Sequence, residues 1–124
     1  MAESISTNGF RAILAQSFYD AAIITGALEV AWGGGGHNPD GTPKTALPTQ
    51  EALVDELRRQ SASSIDVEAG LVRVTGELAA GDLVGEEISE FGIFLNDTLI
   101  GYRNMSLKIK DGDETMANSI AFLF

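Results

Sequence analysis

The residues with chemical reach fall into a few short groups. His37 follows the run Gly33-Gly34-Gly35-Gly36, with Asp40 three positions on. It is the only histidine, so any imidazole base, triad or metal centre has to use it. With no cysteine and no second imidazole, a zinc site lacks its usual ligands. The glycine run invites comparison with a phosphate loop, which ends in Gly-Lys-Ser/Thr and opens directly into a helix. Here His37-Asn38-Pro39 follows, and Lys44 lies beyond a Pro-Asp-Gly turn, so a flexible surface loop is expected. Glu86, Glu87 and Glu90 could pair for acid–base work on a sugar, with Glu86 and Glu90 on one face of a regular strand. A polar strand face is the commoner outcome for such residues, nothing nearby marks a sugar cleft, and no Gly-x-Ser-x-Gly nucleophile elbow is present. Asp111-Gly112-Asp113-Glu114 resembles part of a calcium loop but is too short, and reads as a charged turn. Trp32, Tyr19 and Tyr102 could form an aromatic platform, although singly placed aromatics serve more often as core or interface anchors. The expectation is a non-enzymatic domain with no cofactor and no bound metal.

Composition narrows the partners. The chain has 124 residues, enough to bury a core as one domain. Acidic residues number 18 against 8 basic, a formal charge of -10 that repels phosphate backbones and anionic membranes. Arg58-Arg59 is the only adjacent basic pair, so neither nucleic acid nor membrane is expected as a partner. The N-terminal residues lack the features of a signal peptide and no apolar run reaches membrane-span length, so synthesis in the cytosol is expected. Hydrophobic residues make up 44% of the chain, too many for a disordered acidic tail.

The elements that must position these residues are mostly strands. Phe10, Ile13, Leu14, Phe18, Ala21 and Ala22 have helical spacing, predicting a short helix near 9–20 in an N-terminal segment 1–25. Residues 26–124 then form a β-rich body. Leu28, Val30 and Trp32 share one strand face, and a long Gly-rich loop spans 33–48. Thr49 as cap and Leu53, Val54 and Leu57 as apolar stripe predict a second short helix near 48–60. Ile65 and Val67 alternate with Asp66 and Glu68, which suits a half-buried edge strand. Val72, Val74, Gly76 and Leu78 face one way, opposite Arg73, Thr75 and Glu77. Ile88 to Phe94 breaks the alternation at Gly92, predicting a bulge or close packing; Gly92→Val should cost stability or assembly and Ser89→Ala little. Asn96-Asp97 turns a hairpin into Thr98–Asn104, and Lys108–Lys110 is a separate short strand. In the last strand Ile120, Phe122 and Phe124 alternate with Ser119, Ala121 and Leu123. Both faces are poor in charge, so the strand is either central or has one of its faces against another subunit. The fold class is α+β: mainly an antiparallel sheet or sandwich with two short helices.

Taken together these features resemble small tail-associated proteins and the N-terminal domains of tail-fibre proteins from tailed bacteriophages and prophages. The resemblance rests on a strand entering a Gly-rich loop (Val30–Gly36), helix-like text ending in Arg (Thr49–Arg59) and an apolar strand (Val72–Gly76). Its most telling part is the core Ile88-Ser89-Glu90-Phe91-Gly92-Ile93-Phe94, followed by a hairpin ending in Tyr102-Arg103. No fibre shaft follows in this sequence, so the resemblance implies a baseplate, collar or fibre-attachment subunit of the virion tail. It implies a homo-oligomer docked to other tail proteins, with a host surface receptor a less direct partner. The expected interface residues are Trp32, His37, Arg58, Arg59, Tyr102, Arg103, Phe122 and Phe124, together with the loop from Gly33 to Lys44. Two other classes stay open: a carbohydrate or cell-surface binding module using Trp32, and a small hydrolase using Glu86 or Glu90 with His37.

Overall fold

The computed structural model describes residues 16, 17, 20, 28–68 and 71–123. Seven strands follow one another: β1 (Leu28–Gly33), β2 (Glu56–Ser61), β3 (Ser64–Glu68), β4 (Leu71–Leu78), β5 (Glu87–Leu95), β6 (Thr98–Ile109) and β7 (Met116–Leu123). They form a four-stranded sheet in the order β2-β1-β5-β6 and a three-stranded sheet in the order β3-β4-β7. Every pairing is antiparallel.

The two sheets pack face to face over one apolar cluster. β1 and β5 supply Leu28, Val30, Trp32, Ile88, Phe91 and Ile93, and β4 supplies Val72, Val74 and Leu78. The period of two in β4 follows from this arrangement, because its other face carries Arg73 and Glu77 into solvent. Trp32 is the largest side chain in the cluster and is fully buried. Its ring packs against Phe91 at 5.4 Å between centroids, and its indole N–H donates to Asn118 Oδ1 across the sandwich at 2.9 Å. The sheets meet this closely because Gly76 has no side chain: a Cβ there would lie 2.9 Å from the Trp32 ring. At one side the chain turns from one sheet into the other. Ala62 N–H donates to Leu28 O and Ser63 N–H to Thr75 O, so two residues staple both sheets.

Several expectations change here. No helix occupies 48–60. Residues 48–49 form a turn, and Glu56–Ser61 is strand β2, paired with β1 from Glu29↔Ser61 to Gly33↔Glu56. Of the expected stripe, Leu53 is buried, Val54 is 63% exposed and Leu57 is half-buried within β2. Sheet hydrogen bonding along β1 therefore overrides the helical spacing. Gln16, Ser17 and Asp20 are helical, but most of the expected N-terminal helix lies outside the described residues. Residues 108–110 are not a separate strand, since β6 runs unbroken to Ile109. Among the described strands β7 pairs with β4 alone, at the edge of the three-stranded sheet rather than at its centre. The edge position of β3 and the Asn96-Asp97 hairpin are as expected. Asn96 and Asp97 both have positive φ, 50° and 64°, as a two-residue turn of this hand requires.

One end of the sandwich is closed by a lysine. Lys110 is 1% exposed, and its ammonium donates to the carbonyls of Ala79, Ala80, Asp111 and Glu114 at 2.8–3.2 Å. The ammonium thus ties the 79–80 link and the 111–114 turn to the end of β6. Lys110→Met keeps the aliphatic stem and removes the donor, leaving those carbonyls without it. We expect a loss of about 2–4 kcal/mol in urea unfolding. Gly81→Ala, where a Cβ meets nothing within 4 Å, should shift stability by less than about 0.5 kcal/mol.

Candidate functional site

The outer face of the four-stranded sheet carries the densest group of functional side chains. β5 lies between β1 and β6, and its register with β6 slips between Ile88 and Glu90. Ile88 and Phe91 both belong to the inner cluster, so the bulge turns two successive polar residues, Ser89 and Glu90, away from it. Neither reaches solvent, because both are fully buried under the segment from Gly34 to Asp55.

Glu90 is the anchor of that cover. Its Oε2 accepts the N–H groups of Gly35 at 2.9 Å and Asp55 at 2.8 Å. Its Oε1 accepts Val54 N–H at 2.9 Å and the Tyr102 hydroxyl at 2.6 Å. A buried carboxylate persists only where donors replace its lost water, and here three backbone amides and a phenol do so. Burial and the hydrogen bond to Glu90 push the Tyr102 phenol up to about 12. Next to it, Ser89 Oγ accepts Gly36 N–H at 2.9 Å and lies 2.8 Å from His37 Nδ1. His37 Nε2 is 3.9 Å from a Glu87 carboxylate oxygen.

The glycine run is held in place, contrary to the expectation of a flexible loop. A Cβ on Gly34 would meet Glu87 O at 2.7 Å, one on Gly35 the Val54 side chain, and one on Gly36 the Ser89 carbonyl. The run is glycine because its backbone lies directly on β5 and on residues 54–55. Beyond it His37 bridges to Pro43, Lys44 N–H donates to Gly36 O, and Leu107 N–H donates to Gly41 O. The loop is thereby fastened to the edge of β6. At its tip the hydroxyl and amide of Thr42 hold the Asp40 carboxyl below the ordinary carboxylate value. Asp40 bonds to Thr42, not to His37.

A second apolar cluster sits beneath the cover: Ala31, Leu53 and Phe94, flanked by Leu99 and Tyr102. Gly92 is the floor under Leu53, since a Cβ there would stand 2.6 Å from Leu53 Cδ1 and 3.0 Å from Leu99 Cδ1. The irregularity foreseen near Gly92 is thus close packing at the glycine itself, with bulges on either side between Ile88 and Glu90 and between Ile93 and Phe94. Ser89 Oγ, by contrast, is held by a buried bond from Gly36 and a part-buried one with His37, so Ser89→Ala is expected to cost more than its position in the sequence suggests.

The other expected residues scatter. Trp32 is core and presents no surface to a partner or a sugar. Arg58 reaches Gln60 and Asp82. Arg59 lies over the Phe94 ring at 3.7 Å while paired with Glu56 and Asp97. Arg103 is exposed on β6, and no ion pair to it occurs among the described residues. Phe122 points inward, packing on the core and over Gly101 of β6. Phe124 lies outside the described residues. Only His37 and Tyr102 belong to the constellation around Ser89 and Glu90. The donors from residues 35, 36, 54 and 55 were not foreseen. The one available hint was an acidic residue inside the apolar run Ile88–Phe94.

These neighbours brace the cover against the sheet. Both Glu90 oxygens are filled, and Ser89 Oγ already accepts an amide and has no access to solvent. Glu86 is exposed and lies outside β5. Beside the cover, an open groove of about 220 Å³ runs between Ala46–Gln50 and Leu99–Tyr102. Among the described residues, no helix is long and apolar enough to cross a membrane. Comparison with known proteins finds no family model that matches this chain and no curated protein that matches it significantly.

Two outcomes test the anchor. In Glu90→Gln an amide NH₂ must face amide donors, and we expect a loss of about 3 kcal/mol or more in denaturant unfolding. Tyr102 holds its proton more tightly folded than unfolded, where its value is 10.0. Its contribution to stability is therefore complete below pH 10 and is lost as pH rises through about 12. Ultraviolet titration in a Tyr19→Phe background should show the raised phenol, and Tyr102→Phe should flatten that part of the alkaline stability curve.

Proposed function

We propose that this chain is a non-enzymatic structural subunit of a bacteriophage tail, serving as a baseplate, collar or fibre-attachment adaptor. It acts by oligomerisation and by docking to neighbouring tail proteins. What carries the reading is the fate of the reactive side chains. Ser89, Glu90 and Tyr102 are engaged in fastening one segment of the chain to a sheet, and His37 bonds to Ser89 in the same brace. The surface meanwhile offers strand edges and exposed apolar side chains, among them Leu47, Val54 and Leu123. The tail assignment itself rests on the resemblance centred on Ile88–Phe94.

We infer further that the N-terminal segment 1–25 contains a short helix near 9–20, a reading supported by the helical Gln16, Ser17 and Asp20 and by the Gln16–Asp20 side-chain hydrogen bond of 2.8 Å. Its place in the cell is the virion tail, assembled in the host cytoplasm. A carbohydrate-binding reading loses the aromatic on which it depended, because Trp32 is enclosed.

Light scattering over a range of concentrations should show an oligomer, and the tagged chain should recover tail proteins from phage lysates. A strict monomer at high concentration that recovers no tail protein would overturn the proposal.

A further inference from the structure

The two long sides of the sandwich are finished differently. Where β2 runs into β3, Ala62 and Ser63 bond to both sheets and the backbone itself closes the gap. On the other side β6 and β7 are brought together by side chains. A Cβ on Gly101 of β6 would stand 2.9 Å from the Phe122 ring and 3.5 Å from Ile120 Cδ1. Ile120 and Phe122 are only half-buried there, and Phe122 has a further interaction partner outside those described. The groove of about 220 Å³ passes the same point, with Leu99 to Tyr102 as one wall and Ala46 to Gln50 as the other. Leu47 on that second wall is 60% exposed. The sequence meanwhile holds an apolar stripe in need of a surface. Gln16, Ser17 and Asp20 are helical and exposed. At helical spacing Phe10, Leu14, Phe18 and Ala21 share a different face, which a helix in water has to bury.

We propose that residues 9–22 dock along the β6–β7 side of their own chain, with the Phe10–Ala21 stripe over Gly101 and Phe122 and against the Leu99–Tyr102 wall of the groove. This rests on the reading above that a short helix lies near 9–20, and it names the surface that receives it.

Reach and length favour the chain's own segment as the occupant. The segment joins β1 at Leu28, which lies opposite Leu95, and Leu95 lies opposite Thr98 at the start of β6. The receiving edge is therefore two strand spacings from the attachment point, about 10 Å. Residues 23–27 can span about 16–18 Å, enough to carry the helix across. A helix over 9–20 is about 18 Å long. The stretch of β6 from Leu99 to Asn104 is about 20 Å at strand rise. Beyond it the edge is taken, because the Asn104 amide donates to Lys44 O and Leu107 N–H to Gly41 O. So short a link holds the stripe at high local concentration beside its own groove. A second copy would have to compete from solution, against the repulsion between two chains of formal charge -10.

The native chain has no cysteine, so a single spin label can be placed at Gln16→Cys, an exposed position, in the full chain. Amide signals of Leu99–Tyr102 and Ile120–Phe122 should broaden most, and those of Asp66–Glu68 on β3 least. When labelled chains without nitrogen-15 are mixed with unlabelled chains that carry it, those signals should stay sharp. In Phe18→Lys, the amides of Gly101 and Phe122 should exchange at least tenfold faster, while those of Gly35 and Asp55 stay within about twofold of wild type. Broadening centred elsewhere overturns the inference, and so does broadening that appears only in the mixed sample, which would place the segment on a second copy. Exchange at Gly101 and Phe122 that Phe18→Lys leaves unchanged overturns it as well. If that variant fails to fold, the spin-label result decides alone. Carbon chemical shifts over 9–20 report the helix separately, so a helix that docks elsewhere leaves the helical reading standing while this surface falls.

Discussion

A carboxylate buried on the outer face of a sheet has to be given donors, and the arrangement around Glu90 is organised by that need. Its side chain stands on β5 with both oxygens enclosed, beyond the reach of any described cation. Peptide N–H groups are the donors that remain, and three of them come from two separate stretches of chain. Bringing those stretches onto the sheet requires glycine at 34–36, where a Cβ would strike β5 or Val54. It also uses the N–H groups of Val54 and Asp55, which a helix over 48–60 would have directed to its own carbonyls. β2 begins immediately afterwards, at Glu56. One side chain thus sets the course of some twenty residues.

Lys110 solves the opposite problem by the same means. Its ammonium is buried against four backbone carbonyls with no carboxylate partner among its hydrogen bonds, as the Glu90 carboxylate is buried against amides. Ion pairing would have put two desolvated charges together, each needing its remaining hydrogen-bonding capacity met. Backbone dipoles instead turn each charge into a fastener for loops. Glu90 fixes the cover over the four-stranded sheet, and Lys110 fixes the links at one end of the sandwich. Both groups are fully buried, and every hydrogen bond described for them lies within the chain.

What could be read in advance depended on whether one face of a strand meets water. β3 and β4 alternate legibly because Asp66, Arg73 and Glu77 are solvated opposite Ile65, Val72 and Val74. The Asn96-Asp97 turn was legible because those residues tolerate positive φ. β5 was not legible, because it is covered on both faces and bulged, so its pattern follows no single period. The segment 49–60 was misread because Leu53, Val54 and Leu57 mimic a helical stripe, while its real partners are β1 and Glu90, distant in sequence. The glycine run could be recognised, but its reason could not. Four glycines mark flexibility or lack of room equally well, and only the neighbours at 54, 87 and 89 decide for lack of room. The site around Glu90 was hidden for the same reason, since its donors are amides that every residue possesses.

The outer face of the three-stranded sheet grades from charged to uncharged across its width. At β3 it presents Asp66 and Glu68, and at β4 Arg73, Thr75 and Glu77. Asp66 lies opposite Arg73, a cross-strand pairing of opposite charges that suits a solvated surface. One strand further, Arg73 faces Ala121, Thr75 faces Ser119 and Glu77 faces Ala117. Charge therefore runs out at β7, in a protein with a formal charge of -10. The other face of β7 is committed to the core through Ile120 and Phe122. Its outward side has no such commitment among the described residues, and Leu123 stands at its end almost fully solvated. Charge on this sheet is carried where side chains meet water, on β3 and the outer face of β4, and is absent from β7, whose inward residues pack on the core.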